Sequence, residues 1–71
     1  MVSKTDRAIL DHLLRVGNDA PTNIAEDVET APEYVSQRLN ELRREGLVEN
    51  LGSGVWALTP AGVEWLRSRE R

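Results

Sequence analysis

Cysteine and phenylalanine are both absent from this chain, and lysine and histidine occur once each. Without cysteine there is no disulfide framework and no thiolate metal site, and the redox compartment stays open. Trp56, Trp65 and Tyr34 are the only large aromatic units available to a core. No apolar run approaches the roughly 18–20 residues of a membrane-spanning helix. The opening Met1-Val2-Ser3-Lys4-Thr5-Asp6-Arg7 turns polar at once and lacks the apolar stretch of a secretory signal. A soluble, cytoplasmic protein without a membrane partner is therefore expected. Net positive charge is lacking too: nine basic residues face twelve acidic ones, giving −3 and a pI near 5.0. This argues against sequence-independent binding to polyanions, whose protein partners usually carry a basic footprint.

What is present is 71 residues, 39% of them hydrophobic. At this length a chain buries roughly 60% of its unfolded surface, enough for one modest core and one domain covering residues 1–71. The charge is uneven. Residues 1–36 carry three basic and seven acidic side chains, whereas residues 37–71 carry six and five. Eight arginines against one lysine, with an acidic total, fit a GC-rich genome or a salt-adapted cytoplasm.

The pattern of apolar residues divides the chain into short elements. Ile9, Leu10, Leu13 and Leu14 share one face of a helix running from Ser3 or Thr5 to Val16, closed by Gly17. Thr22 is placed to cap a second helix, from Asn23 to about Val28, burying Ile24, Ala25 and Val28. A third helix opens at Thr30-Ala31-Pro32-Glu33. Either Thr30 and Glu33 form a capping box, or Ala31 is the N-cap with Pro32 in the first turn. Its stripe is Val35, Leu39 and Leu42, its last turn is basic, and Gly46 ends it. The pattern then turns extended. Leu47–Leu51 and Val55–Leu58 flank Gly52-Ser53-Gly54 as a hairpin over about 47–58. Thr59 and Pro60 start a last helix over about 60–69, carrying Val63, Trp65 and Leu66. The fold class is mainly α with a small β-hairpin, in the order α-α-α-β-β-α.

Two short-linked helices followed by a hairpin resemble a helix-turn-helix with a wing. The residues that carry the likeness are Ile24-Ala25, Val35-Ser36-Gln37-Arg38-Leu39-Asn40-Glu41-Leu42, Glu45-Gly46-Leu47-Val48 and Trp56-Ala57-Leu58-Thr59-Pro60-Ala61-Gly62. In this order they are similar to the winged-helix transcription regulators of the MarR and ArsR type, and to small haloarchaeal winged-helix proteins resembling phage repressors. The resemblance spans Thr5 to about Leu66. It implies double-stranded DNA as partner, the third helix in the major groove, the second helix across the backbone, and a homodimer on inverted half-sites.

The helix itself can be tested against that role. With Val35, Leu39 and Leu42 inward, a step of about 100° per residue turns Glu33, Gln37, Asn40 and Arg44 outward, flanked by Tyr34, Ser36 and Glu41. Gln37 and Asn40 carry amides that pair bidentately with adenine, and Arg44 matches guanine O6/N7. Tyr34, Ser36, Gln37, Asn40 and Arg44 are thus the expected base-contact residues. Arg38 and Arg43, nearer the core edge, are the expected phosphate clamps. Backbone N–H groups at Thr22 and Asn23, and at Gly52 and Ser53 in the wing, are further phosphate candidates. Two features run against the role. Pro32 to Glu45 holds three basic and three acidic residues, and the wing tip has no lysine or arginine.

Enzyme chemistry finds no support. His12 lacks partners at catalytic or metal-ligating spacing and reads as a partly exposed surface histidine. Gly52-Ser53-Gly54 joins two strands and is not a phosphate loop. Asp19, Glu26, Asp27 and Glu29 lack calcium-loop spacing. No cofactor, metal site or small-molecule pocket is expected. Trp56 is expected in the core, while Trp65 either completes it or lies on a dimer patch. The leading reading is a sequence-specific DNA-binding transcription regulator. The alternative is a winged-helix protein-interaction module that does not touch DNA, and a third is the DNA-binding piece of a longer regulator.

Overall fold

The computed structural model describes residues 2–69. Seven elements follow one another: α1 (Lys4–Val16), β1 (Asn18–Asp19), α2 (Pro21–Val28), α3 (Pro32–Arg44), β2 (Val48–Gly52), β3 (Val55–Leu58) and α4 (Pro60–Arg69). The expected order holds, with the addition of β1. Of the charged C-terminal tail, Glu70 and Arg71 lie outside the described residues.

Local chemistry explains most boundaries. Ser3 caps α1 through a capping box: its hydroxyl accepts from the Asp6 amide, and the Asp6 carboxylate accepts from the Ser3 amide. The second helix starts earlier than its sequence suggests. Pro21 occupies its first turn behind Ala20, so Thr22 lies inside the helix and does not cap it. Proline supplies the helical φ and has no N–H to orphan, and this outweighs the hydroxyl of Thr22. At α3 the Ala31–Pro32 alternative is the one formed, and the N-cap has no side-chain hydrogen bond, so the Thr30/Glu33 capping box is absent. Glu29 takes the left-handed conformation at the end of α2, with φ 58°. Its amide and that of Thr30 both return to the Ala25 carbonyl.

The sheet has three antiparallel strands in the order β1-β3-β2. Val48 faces Leu58, Glu49 faces Ala57 and Asn50 faces Trp56, and a register shift between Asn50 and Gly52 leaves Leu51 exposed at the wing. On the other edge of β3, Asn18 pairs with Ala57 and Asp19 with Trp56. Thr59 welds α4 onto the α3–β2 junction. Its hydroxyl donates to the Gly46 carbonyl and accepts from the Gly62 amide, and its own amide donates to the Leu47 carbonyl.

The core joins every helix to the sheet: Ile9, Leu10 and Leu13 from α1, Ile24 and Ala25 from α2, Val35, Leu39 and Leu42 from α3, Leu47, Val48 and Trp56 around the wing, and Leu66 from α4. Each fully buried aliphatic side chain contributes about 1.5–3 kcal/mol relative to exposure. Trp56 is in the core, as its sequence position suggests. Trp65 is half-buried against the same cluster, with the Arg69 guanidinium over its ring at 4.3 Å. No helix among the described residues is long and apolar enough to cross a membrane.

Candidate nucleic-acid interface

Val35, Leu39 and Leu42 are completely buried. They fix the orientation of α3, so its opposite face is presented to solvent. Gln37, Asn40, Arg44, Arg43 and Glu33 are exposed, Tyr34 is 41% exposed, and Ser36 is half-buried. The residues expected to meet bases do share one surface. Their side chains differ in availability. Gln37, Tyr34, Ser36 and Arg43 have no side-chain hydrogen bond among the described residues. The Asn40 amide donates to the Ser36 carbonyl at 3.0 Å, and Arg44 donates to Glu41 at 2.6 Å. Both are exposed local contacts, exchangeable for other partners at small cost.

Three of the groups expected to contact the DNA backbone have partners inside the protein. Arg38 turns its guanidinium toward α1. Its Nε and Nη2 donate to the two oxygens of Asp6, each at 2.8 Å. Asp6 is fully buried, so releasing Arg38 would strand a carboxylate inside the protein. At the start of α2 the Asn23 amide donates to the Ala20 carbonyl at 3.1 Å, and Asp19 Oδ1 accepts from the Ala20 amide and the Asn23 side chain, each at 2.8 Å. That leaves Thr22, exposed one residue earlier than Asn23, as the remaining donor there. In the wing, the Gly52 amide donates to Asn50 Oδ1 at 2.8 Å, which closes the turn internally. Ser53, with φ 54°, is left at the exposed tip.

Two polar centres were missed in the sequence. Asp6 and Arg38 form one. His12, expected at the surface, forms the other: it is only 6% exposed and lies between Asp19 and Asp27. Asp6 carried a readable signal, because it lies three and four residues before Ile9 and Leu10 on the apolar stripe of α1. A carboxylate there requires a buried partner. Burial alone would raise its pKa, but hydrogen bonds from Arg38 and Ser3 outweigh this and hold it below the usual aspartate value. Among the described residues, no group of three or more histidine, aspartate or glutamate side chains is arranged to hold a metal ion.

No protein-family profile matches the chain, and no curated protein does. Solved structures do. YusO from Bacillus subtilis superposes with a TM-score of 0.85 at 22% identity, over 93% of this chain and 51% of its own. A variant of ZitR from Lactococcus lactis, solved in complex with DNA, gives 0.84 at 21% identity, over 99% and 51%. ZitR described as a zinc-responsive MarR family member gives 0.81 at 20% identity, over 99% and 52%. This chain therefore spans about half the length of the chains it matches. Four helices, a three-stranded sheet and the hairpin between α3 and α4 make its fold the winged helix that these proteins share.

Proposed function

We propose that this protein is a DNA-binding transcription regulator rather than an enzyme, with α3 as the reading helix. The observation that carries the proposal is the outward face of α3. Gln37 and Asn40 stand exposed on it with Tyr34 and Arg44, over a stripe that is completely buried. Their amides fit adenine edges, and Arg44 fits guanine once it leaves Glu41. Arg43, Thr22 and the Ser53 tip are the backbone contacts this geometry favours. The same fold in ZitR, solved in complex with DNA, supports the reading. A homodimer on inverted half-sites, with repression as its outcome, is the assembly proposed by analogy.

Fluorescence anisotropy against a randomised duplex pool, with selection of the retained sequences, tests this. Selective retention that falls at least tenfold in Gln37→Ala and Asn40→Ala supports base reading. Retention unchanged in both variants overturns it and favours the protein-interaction alternative, which the near-neutral face of α3 also fits. Sedimentation with and without the selected duplex decides the dimer.

A further inference from the structure

Arg38 sits in the middle of α3, and its fork grips a carboxylate that is 32 residues away in sequence, on the first turn of α1. The pair is bidentate, both contacts are 2.8 Å, and Asp6 is completely excluded from solvent. Asp6 is itself immobilised by the reciprocal bonds with Ser3, at 3.0 and 3.1 Å. No other side-chain hydrogen bond joins α1 to α3 among the described residues. Apolar contacts of Val35, Leu39 and Leu42 hold the helix down but are non-directional. They tolerate a roll about the helix axis that a planar guanidinium–carboxylate fork does not. A roll of about 20° carries a side-chain tip on a helix of roughly 5–6 Å radius through about 2 Å. That is enough to break the hydrogen bonds by which a base edge is read.

We infer that Arg38 and Asp6 are a positioning pair, which sets the rotation of α3 on α1 and so decides which outward side chains reach a base. This rests on the DNA-reading assignment above. Arg38 is then a specificity-determining residue that touches no DNA. The rival role, a phosphate clamp, makes opposite predictions. Asp6→Asn preserves size and the Ser3 cap, but it loosens the fork and frees the arginine charge. Under the clamp role it tightens DNA binding. Under the positioning role it weakens binding to the preferred sequence.

The test measures affinity for the selected duplex and for a random pool, across salt, in wild type, Asp6→Asn, Arg38→Lys and Arg38→Met, at a temperature where circular dichroism shows each folded. The expected result has three parts. Asp6→Asn and Arg38→Lys lose about tenfold on the selected duplex, and both bind the random pool within about twofold of wild type. The double variant Asp6→Asn with Arg38→Met loses no more than Arg38→Met alone. The slope of log affinity against log salt stays unchanged in Arg38→Met. Tighter binding by Asp6→Asn, full rescue by Arg38→Lys, or a slope reduced by about 0.9 in Arg38→Met would overturn the inference, the last being the mark of one lost phosphate contact.

A readout without DNA separates failure of this inference from failure of the functional reading. In 1H–15N spectra of the free protein, the Arg38 Nε–H is expected to exchange slowly in wild type and fast in Asp6→Asn. The backbone signals of Gln37 and Asn40 are expected to shift in Asp6→Asn. If those signals stay in place, α3 has not moved and the pair is not a positioning device, whatever the protein binds. If they shift while wild type ignores DNA, the pair positions α3 and only the functional reading falls.

Discussion

The Nε2 of His12 lies 2.8 Å from Oδ2 of Asp19, and the Nδ1 of the same ring lies 2.8 Å from Oδ2 of Asp27. A neutral imidazole has one N–H and satisfies only one of these contacts as a donor, so the arrangement selects the imidazolium. The three residues belong to α1, β1 and α2, which makes the ring a polar rivet beside the apolar core. Arg15 extends the network, donating to Asp27 at 2.9 Å and to Asp11 at 3.1 Å. The rivet stands at the entrance to the helix-turn-helix, because Asp19 also holds the Ala20 amide and the Asn23 side chain at the start of α2.

Stability should therefore peak in mildly acidic solution. Burial works against the charge on His12, but hydrogen bonds to Asp19 and Asp27 outweigh it and raise the pKa above the ordinary 6.5. A raised folded value means that this stabilisation is complete below the unfolded value and is lost as pH rises through the folded one. Asp19, bonded by Asn23 and His12, and Asp27, bonded by His12 and Arg15, are lowered from 3.8. Their contribution is present above that value and is lost as pH falls through their folded values. Urea denaturation from pH 3 to 9 should give a maximum between about pH 4 and 6.5. His12→Gln should cost about 2 kcal/mol at pH 5.5, the loss of hydrogen bonds to charged groups, and much less at pH 9. An alkaline decline equally steep in the variant would assign it to some other group.

Gly62 reverses the usual preference of a helix for alanine. It is buried in α4 directly over the wing, and a Cβ built on it would stand 2.1 Å from the Leu47 carbonyl oxygen and 3.1 Å from Leu58 Cδ2. The oxygen is main-chain and is already held by the Thr59 amide, so it cannot swing away. Gly62→Ala should destabilise by about 2–3 kcal/mol through overpacking, although alanine at an exposed helix site would stabilise by up to about 1 kcal/mol. A melting temperature lower by roughly 10 °C is the expected readout for a domain of this size. An unchanged value would mean that α4 lifts from the wing without penalty.

Elements whose signals lie within four residues were legible before folding. Pro32 starting α3, the Val35–Leu39–Leu42 stripe, Gly46 ending it and Thr59 capping α4 all belong to this class, and each occupies its expected place. Contacts between distant residues were not legible. Arg38 looks like any arginine beside an apolar stripe until Asp6 is brought to it, and His12 shows no partner until β1 and α2 fold back on α1. The strand β1 escaped because two residues cannot display an alternation. The same limit falls on the interface: helical spacing put Gln37, Asn40 and Arg44 on one face, but it could not show that Asn23, Arg38 and the Gly52 amide have partners inside the protein.

Glu29 marks a place where the sequence holds back stability. It ends α2 with φ 58°, in the left-handed region that a residue with a Cβ occupies at a cost of about 1–2 kcal/mol. Turns between the two helices of such a motif often contain glycine here. Glu29→Gly relieves the strain and gives back roughly 0.5–1 kcal/mol in unfolded-state entropy. A net gain of about 0.5–1 kcal/mol is expected, seen as a melting temperature a few degrees higher. Since α2 and α3 keep their relative placement, the DNA retention expected under the proposed function should not change.

Under the proposed DNA-reading role, the near-neutral charge of α3 predicts an unusually flat salt dependence. Of the three arginines on α3, Arg38 is held by buried Asp6, Arg44 shares its charge with Glu41, and only Arg43 has no ion-pair partner among the described residues. The wing tip adds no cation. Each phosphate contact steepens the slope of log affinity against log salt by about 0.9, so the DNA-facing surface of one copy should give a slope no steeper than about −2. Arg43→Ala should flatten it by about 0.9 and weaken all duplexes alike. Gln37→Ala should leave the slope intact and cost about 1–3 kcal/mol on the preferred sequence alone, the worth of a bidentate base contact. Titrations between 0.05 and 1 M salt separate the two variants. A steep wild-type slope would require cations beyond α3 and the wing, and would move the DNA path toward Lys4, Arg7 and Arg15 on α1.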